Sequence, residues 1–333
     1  MESYLKINTK QIIDNYKIIH SKYQKNIIAV IKDNAYGHGL IQVGKALSSV
    51  NCFMLAVSSI NEAILLRKNL IFLPIFLFGR CDDYKLLYSL KITISITSLE
   101  QLKILSKSEL PISIHLKIET GMNRLGLLIN ELDEAKEIIK KSKLNLKGIF
   151  THFCSENYHQ QLTIFNEGLK KFDNLNKLCI HTQASSYINE NITNCNTLRV
   201  GLALYGYSNY LDVEPALKLF CPIIRKTFIK QNTSIGYDLT ESTTEDGYIL
   251  TIPFGYSHGL SRLKKICFTY QNETYYQIGK SCMDLTMIFI NKDLDIKEIS
   301  LIDEVNTFNL LTYNNESIYY LLSSLSPNIK RIY

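Results

Sequence analysis

The sequence predicts an α/β fold, namely an N-terminal (β/α)8 barrel of the TIM type followed by a C-terminal, mostly antiparallel β domain. First, eight short apolar, β-branched runs alternate with amphipathic stretches through the first two thirds of the chain. Second, helical periodicity gives way after about residue 220 to short strand-like runs joined by polar turns. Third, 333 residues are long for one compact domain, so a large domain with a smaller one is expected.

A (β/α)8 barrel requires eight strands, each separated from the next by a helix. The predicted strands are 27–31, 54–59, 71–78, 92–97, 112–119, 146–153, 178–184 and 197–204. The predicted helices between them are 40–50, 61–68, 82–90, 99–107, 131–141 and 161–177. A doubly wound open sheet would alternate in the same way, but it usually needs fewer units, and no Gly-x-Gly-x-x-Gly follows the first strand.

The last third of the chain has the pattern of an antiparallel β domain. Its predicted strands are 223–230, 247–252, 266–270, 274–278 and 285–290, and its predicted helix is 316–324. Residues 1–8 are apolar enough to form a further strand in this domain. We therefore expect a barrel domain over 9–220 and a C-terminal β domain over 221–333, completed by 1–8.

The composition is that of a globular protein, with 46% apolar and 20% charged residues. The net charge of +6 is spread along the chain without a block of like charge, which argues against a nucleic-acid partner. No apolar run is long enough to cross a bilayer, and no secretory leader is recognised, so a cytoplasmic chain without membrane association is expected. The eight cysteines form no Cys-x-x-Cys pair and fall mostly in apolar segments, which predicts core residues and no metal.

Polar residues stand at the ends of the predicted barrel strands, where such barrels place their active sites. They are Lys32, Lys117, Glu119, His152, Ser185, Arg199 and Gly201. Lys32 leaves an apolar run and precedes a glycine-rich turn, so its amine is a candidate nucleophile for a carbonyl group. Any one of these has an ordinary structural explanation, but their convergence on one face predicts an active site.

Strand alternation places His115, Lys117 and Glu119 on one face of the predicted strand 112–119. If that face looks into the barrel, Lys117 is a buried cation close to Arg124, an arrangement that is costly without a partner. An ion-pair network of Lys117 with Glu119 is the structural alternative to a chemical role for this lysine.

Several segments resemble alanine racemases. Residues 30–39, Val-Ile-Lys-Asp-Asn-Ala-Tyr-Gly-His-Gly, resemble the pyridoxal-phosphate attachment site Val-x-Lys-Ala-Asn-Ala-Tyr-Gly-His-Gly of that family. Residues 115–126 resemble the family's His-x-Lys-x-Asp-Thr-Gly-Met-x-Arg-x-Gly, and residues 199–206 its Arg-x-Gly-x-x-x-Tyr-Gly. Residues 252–259 and 279–284 are similar to its Ile-Pro-x-Gly-Tyr-x-Asp-Gly and Gly-Arg-x-x-Met-Asp. The likeness covers essentially the whole chain in order and identifies a fold-type III alanine racemase.

The resemblance implies a reaction and a set of catalytic residues. The reaction is the pyridoxal-phosphate-dependent, two-base interconversion of L-alanine and D-alanine, which supplies D-alanine for bacterial cell-wall peptidoglycan. Lys32 would carry the cofactor and act on D-alanine, while Tyr237 would act on L-alanine, helped as a phenolate by Arg124. Tyr237 rather than Ile235 takes this position because the family interval to the second tyrosine ends at Tyr256.

The resemblance also implies the residues around the catalytic pair. Arg124 would face the substrate carboxylate, His152 would link to Arg199, and Arg199 would contact the cofactor's ring nitrogen. The remaining implied cofactor contacts are Tyr36, Ser185, Gly201 and Leu202, and the remaining substrate contacts are Tyr256 and Met283. Lys117 matches a lysine that is often carbamylated. The family forms homodimers in which the residues matching Tyr237 and Met283 reach the other subunit's site.

We single out four departures of this chain from the family pattern. Asp33 replaces an alanine beside the lysine, Ala184 an asparagine beside Ser185, His258 an aspartate, and Pro327 a tyrosine found in some members. Three other functions are compatible with parts of the pattern. These are a racemase for larger amino acids, a non-catalytic pyridoxal-phosphate protein, which would lack Tyr237 and the C-terminal domain, and a Schiff-base aldolase that needs no cofactor.

Overall fold

A computed structural model describes residues 2–155, 158–261 and 264–333. The chain divides into two compact units. The described residues within Ile12–Ala35 and Leu40–Glu214 form one of them, called here the barrel unit. Those within Met1–Gln11, Tyr36–Gly39 and Pro215–Tyr333 form the other, called the C-terminal unit.

The elements are numbered in chain order. The strands are β1 (Tyr4–Ile7), β2 (Asn26–Val30), β3 (Met54–Val57), β4 (Ile75–Leu77), β5 (Ile92–Ile96), β6 (Ser113–Lys117), β7 (Asn145–Phe150), β8 (Cys179–His181), β9 (Thr197–Val200), β10 (Leu217–Pro222), β11 (Arg225–Ile229), β12 (Ser234–Ile235), β13 (Glu241–Ser242), β14 (Gly247–Ile252), β15 (Cys267–Tyr270), β16 (Glu273–Tyr276), β17 (Thr286–Ile290), β18 (Glu298–Ile302) and β19 (Lys330–Ile332). The α-helices are α1 (Thr9–Tyr23), α2 (Lys32–Tyr36), α3 (Leu40–Ser49), α4 (Ile60–Lys68), α5 (Tyr84–Ser89), α6 (Leu99–Ser106), α7 (Leu132–Lys141), α8 (His159–Leu169), α9 (Asn306–Asn314) and α10 (Ile318–Ser324).

The barrel unit contains one sheet of eight parallel strands in the order β8-β7-β6-β5-β4-β3-β2-β9. Each of the eight predicted strands overlaps one of these, so the predicted (β/α)8 architecture is confirmed. β4 is shorter than the predicted 71–78 because Pro74, which has no N–H to donate, directly precedes it. The predicted helix 161–177 is also too long: α8 ends at Leu169, and Asn174 adopts a left-handed conformation with φ 56°.

The C-terminal unit is built from small sheets. Its four-stranded sheet has the order β18-β10-β1-β19, with β1 antiparallel to β10 and parallel to β19. A three-stranded antiparallel sheet, β11-β14-β17, and the pairs β12-β13 and β15-β16 complete the pairing. All five predicted strands of this part are present, and the predicted helix 316–324 corresponds to α10, whereas α9 was not predicted.

Helix length and polarity bear on the question of membrane spanning. Among the described residues, no helix is both long and apolar enough to cross a membrane.

Candidate active site

Lys32 follows the carboxyl end of β2, which is anchored from two directions. The Tyr205 hydroxyl, completely buried, donates to the Val30 carbonyl (3.1 Å), and the Ile31 N–H donates to the Ala56 carbonyl of β3 (2.9 Å). The Lys32 side chain itself is 39% exposed, and its Nζ lies 3.3 Å from the Asp33 carboxylate. The strand end is therefore held firmly while the amine stays accessible.

In the segment labelled α2, the residues after Lys32 form a left-handed turn rather than a regular α-helix. The four residues 33–36 have φ between 51° and 55°. This conformation costs a non-glycine residue about 1–2 kcal/mol, and such strain concentrates at functional sites. The turn is supported by Asn34, whose N–H donates to Glu62 Oε1 (3.2 Å) and whose Oδ1 accepts from the Leu40 N–H (2.9 Å).

Glu62 was not singled out from the sequence, although its signal is present there. Ser59 and Glu62 have the spacing of a capping box, and both reciprocal bonds form at the start of α4. The same carboxylate reaches across to Asn34, so one residue both caps a helix and braces the lysine turn. Only the second role depends on the tertiary fold.

Arg199 on β9 is buried and donates to neutral acceptors. Its Nη1 bonds to Nδ1 (2.7 Å) and the carbonyl (2.8 Å) of His181. Its Nη2 bonds to the carbonyls of Thr151 (2.8 Å) and Thr182 (2.9 Å) and to Nδ1 of His152 (3.3 Å). Burial lowers the pKa of Arg199 to about 10, so the guanidinium keeps its charge at neutral pH. The predicted hydrogen bond of His152 to Arg199 is thus present.

His152 shows that the predicted cations lie near one another. Burial lowers its pKa to about 3, and the charges of Arg199, Arg124, Lys117 and Lys32 act in the same direction. The imidazole is therefore neutral at neutral pH and can accept from Arg199. Cations from three strand ends, namely Lys32 after β2, Lys117 and Arg124 at and after the end of β6, and Arg199 on β9, influence this one side chain, as the predicted convergence on one barrel face requires.

Lys117 at the end of β6 is almost fully buried, with 5% of its surface exposed. Its Nζ donates to the Leu125 carbonyl (2.7 Å). Burial, followed by the charge of Arg124, lowers its pKa to about 8. In the part of the chain that the structure describes, no ion pair joins Lys117 to Glu119, whose carboxylate accepts from the Gly121 and Asn123 amides instead (2.7 and 3.0 Å). The charges of Lys117 and Glu119 attract each other, but the two side chains make no direct ion pair.

Ser185 and Gly201 meet at the start of a 3-10 helix, Leu202–Tyr205. Ser185 Oγ accepts from the N–H groups of Gly201 (3.2 Å) and Ala203 (3.3 Å). Two backbone amides and a hydroxyl are thus gathered in one small region. Such a group of donors suits a phosphate.

A buried group of possible metal ligands was not anticipated. One nitrogen each of His115 and His181 and the Cys179 sulfur lie within 4.8 Å of one another. However, His181 Nδ1 accepts from Arg199, so a metal on His181 Nε2 would require an imidazole without either proton, beside a buried cation. This donor set therefore does not suit a divalent metal ion.

The prediction that the cysteines are core residues is confirmed only in part. Five of them are buried, namely Cys52, Cys179, Cys195, Cys221 and Cys267. Cys81 and Cys282 are partly exposed, and Cys154 is exposed, so three of the eight are not core residues.

In the C-terminal unit, Tyr237 begins a short 3-10 helix, Tyr237–Leu239, and is 58% exposed. Gly236 before it has φ 77°, a conformation that favours glycine. The neighbouring loop approaches closely: a Cβ on Gly279 would lie 2.8 Å from the Ile235 carbonyl, and Lys280 Nζ lies 2.5 Å from the Asp238 carboxylate. The position of Tyr237 is thus set by the turn at Gly236, by the close approach of Gly279 and by the ion pair of Asp238 with Lys280.

Tyr256 and Met283 lie on adjacent loops of the same unit. The N–H groups of Tyr256 and Ser257 donate to the carbonyls of Cys282 (3.1 Å) and Met283 (3.0 Å). A Cβ on Gly255 would lie 2.3 Å from the Met283 carbonyl, so this approach requires glycine. Met283 is 56% exposed. The structure therefore brings these two predicted substrate contacts together.

The C-terminal unit also contains Tyr36, an implied cofactor contact, and two departures from the family pattern, His258 and Pro327. Tyr36 is buried, and its ring centroid lies 6.3 Å from that of Tyr319. His258 Nδ1 accepts from the Gly255 N–H (3.0 Å), an acceptor role that an aspartate could also fill. The Pro327 carbonyl accepts from Arg331 Nη1 (2.9 Å).

Comparison with known proteins decides the family. The family model of the alanine racemase N-terminal domain matches residues 7–209, and that of the C-terminal domain matches residues 216–333. The chain belongs to the alanine racemase family. The family predicted from the motifs is therefore confirmed.

Alanine racemases of known sequence and structure resemble the chain over its whole length. The Streptococcus agalactiae protein is 30% identical over 98% of this chain and 97% of its own length. The Borreliella burgdorferi alanine racemase is 31% identical over 98% of this chain and 96% of its own length. The solved alanine racemase of Clostridium difficile is 29% identical, covers 100% of this chain and 96% of its own, and superimposes with a TM-score of 0.92.

The structure also shows a supporting residue of this alanine racemase that the sequence analysis missed. Gln161 on α8 is buried, and its Nε2 donates to Thr120 Oγ1 and to the His152 carbonyl (both 3.2 Å). Its Oε1 accepts from the Cys154 N–H (3.0 Å), and Thr120 Oγ1 bonds to Thr151 Oγ1 (2.7 Å). Gln161 thus ties the end of β6 to the segment that carries His152. A glutamine on the buried face of an amphipathic helix was the available signal.

Proposed function

We propose that Lys32 and Tyr237 of this alanine racemase are the two acid–base groups that exchange the α-proton of alanine. The reaction is the interconversion of L-alanine and D-alanine, with pyridoxal phosphate as cofactor. Supply of D-alanine for cell-wall peptidoglycan is the standard role of the family. The observation that carries the residue assignment is the accessible Lys32 amine, held on a braced, strained turn beside the strand that bears buried Arg199.

The residues present fit the cofactor. Lys32 would hold it through its amine, and Ser185 with the amides of Gly201 and Leu202 would hold its phosphate, together with Tyr36. Arg199 is a buried, charged donor bound to neutral acceptors, which suits contact with the ring nitrogen. Because a guanidinium does not release its proton, the ring nitrogen would stay unprotonated. Pyridoxal phosphate, when bound, supplies an electron sink for the α-carbon.

Racemisation requires one proton acceptor and one proton donor on opposite faces of the α-carbon. The Lys32 amine, freed when the amine of the substrate takes its place, would take the proton of D-alanine on one face, while the Tyr237 hydroxyl would return a proton on the other. In the opposite direction, the Tyr237 phenolate takes the proton of L-alanine and the Lys32 ammonium returns one. Arg124 would bind the substrate carboxylate and stabilise the phenolate, and Tyr256 and Met283 would limit the space for the substrate side chain.

We further propose that the active form is a homodimer in which Tyr237, Tyr256 and Met283 of one copy complete the barrel site of the other. Support comes from the exposure of Tyr237 and Met283, each more than half accessible in the single chain. Large apolar or aromatic groups on adjoining loops are typical of an interface. A cytoplasmic location remains a prediction.

The central assignment is tested by reducing the cofactor-loaded enzyme with borohydride and mapping the labelled peptide. We expect the pyridoxyl group on Lys32. Lys25, at the other end of the same strand, is the matched control, and Lys25→Ala should keep both the label and the activity. A label on another lysine would refute the assignment. Assays with alanine, serine and lysine in both configurations then define the substrate range.

A further inference from the structure

Behind Arg199, two buried imidazoles form a hydrogen-bonded chain that the proposed mechanism does not use. Arg199 Nη1 bonds to His181 Nδ1 (2.7 Å), and His181 Nε2 bonds to His115 Nδ1 (2.9 Å). Neither imidazole is exposed to solvent. The chain thus runs from the β9 arginine through β8 to β6, entirely within the barrel unit.

The order of donors and acceptors in this chain follows from Arg199. An arginine can only donate, so His181 Nδ1 must accept and the single proton of a neutral His181 must be on Nε2. That proton is donated to His115 Nδ1, which places the proton of His115 on its own Nε2. Burial lowers the pKa of His115 to about 3 and that of His181 well below its usual value, so both rings are neutral at neutral pH.

His115 ends the chain. Among the described residues, its buried Nε2 has no hydrogen-bond partner. Its ring lies 4.7 Å from the Phe76 ring, between centroids, and a Cβ on Gly148 would come within 2.8 Å of it. The barrel interior therefore accommodates the His115 imidazole although its Nε2–H donor is left unsatisfied. A purely apolar ring would avoid that penalty, which indicates that the acceptor at Nδ1 is what the position requires.

We propose that His115 is a positioning residue for racemisation: by accepting from His181 Nε2–H, it holds His181 in the tautomer whose Nδ1 orients the Arg199 guanidinium. This inference rests on the proposed contact of Arg199 with the cofactor. Without the acceptor, the His181 Nε2–H is left unsatisfied in the barrel interior, and His181 gains a reason to rotate away from Arg199. The bond also polarises His181 and makes its Nδ1 a stronger acceptor.

The hydrogen-bonding role is separated from packing by three substitutions. In His115→Asn, the amide oxygen can take the place of Nδ1 and still accept from His181. His115→Phe keeps the ring volume without an acceptor, and the longer amide of His115→Gln reaches the Nε2 position instead. We expect His115→Asn to keep cofactor affinity and kcat within about threefold and the other two variants to lose about tenfold or more. A packing role predicts the reverse order, with His115→Phe the best of the three.

The tautomers are measured directly by long-range ¹H–¹⁵N spectra of the full chain labelled at histidine, with and without cofactor. We expect both His115 and His181 to be protonated at Nε2 only, and the His181 Nε2 signal to shift in His115→Phe but much less in His115→Asn. A proton on His181 Nδ1, or equal kinetics of the Asn and Phe variants, would overturn the proposal. The spectra decide the hydrogen-bond order even if the chain racemises no amino acid, so failure of the reaction and failure of this inference are distinguishable.

Discussion

The two units hold several of their proposed functional residues in opposite ways, although Lys32 of the barrel unit also stays accessible. In the barrel unit, Arg199 and Lys117 are buried at strand ends, and their donors are satisfied by carbonyls and imidazoles. In the C-terminal unit, Tyr237 and Met283 are carried by loops and are more than half exposed. The first set is fixed by the packing of one chain, whereas the second offers its side chains to solvent or to another molecule.

This contrast has a physical consequence for the reaction. Buried polar groups in a low-dielectric interior keep their orientation and perturbed protonation, because any movement would leave them unsatisfied. An exposed side chain can exchange its partners for water at a smaller cost, so its alignment depends more on what covers it. The barrel unit would therefore set the electronics of the cofactor, and a second copy of the chain would supply the tyrosine.

The largest expected effect is on racemisation and concerns Tyr237, one of the exposed residues. Tyr237→Phe should still bind cofactor but lose about 10²–10⁴-fold in racemisation in both directions, because every turnover needs both faces. Mixing inactive Lys32→Ala chains with inactive Tyr237→Phe chains should restore activity, since a mixed dimer has one intact site. If mixed dimers form and remain inactive, Tyr237 does not act in trans.

The next effect, on racemisation and transamination, concerns buried Arg199. Arg199→Glu should slow racemisation by roughly 10²-fold and increase transamination, because a carboxylate would let the cofactor ring nitrogen take a proton. Both rates are measured on the same preparation, and Arg199→Lys, which keeps the charge but not the planar donor pattern, is the control. A parallel fall of both activities would assign Arg199 a structural role only.

Lys117 is expected to affect stability rather than rate. Its pKa is lowered to about 8 from 10.5, so the unfolded chain binds more protons between these values and the unfolding free energy should rise with pH across that window. The rise should approach about 3.5 kcal/mol, at about 1.4 kcal/mol per pKa unit, and be absent in Lys117→Met. Denaturant titrations from pH 7 to 11 without carbon dioxide check this.

The same lysine is our candidate for carbamylation. A buried amine with a lowered pKa is available to carbon dioxide as the neutral form, and the product would be an anion beside Arg124. We expect a carbamate signal in ¹³C spectra with labelled bicarbonate, which Lys117→Met should abolish while Lys136→Met, a surface control, retains it. Absence of the signal in the native chain would show that Lys117 acts as an amine.

The smallest effect concerns a departure from the family pattern. His258→Asp should change activity by less than about twofold, because either side chain can accept from the Gly255 N–H. His258→Leu removes the acceptor and should lower the unfolding free energy by about 1 kcal/mol. Thermal unfolding and kinetics of both variants check this, and an Asp variant as damaged as the Leu variant would contradict it.

Much of the fold was predictable because its signals are local. Apolar runs and helical periodicity located all eight barrel strands. The predicted strand 197–204 was too long, because Leu202–Tyr205 forms a 3-10 helix, and further errors lie at Pro74 and Asn174, where local chemistry intervened. In the C-terminal unit, the first strand and the last meet as neighbours, a pairing between positions more than three hundred residues apart that no local pattern encodes. The helices α1 and α9 were not predicted.

The sequence by itself determined the family, the strand ends that carry Lys32, Lys117, His152 and Arg199, and the order of the motifs, since these depend on residue type and spacing along the chain. Only the tertiary structure decided what surrounds those residues. His115 and His181 are 66 positions apart, yet their bond sets the tautomers behind Arg199. Glu62 reaches the turn after Lys32 from the next βα unit. Hydrogen-bond direction and burial arise only when distant strands meet, because that meeting excludes water and leaves each polar group the partners that the fold brings to it.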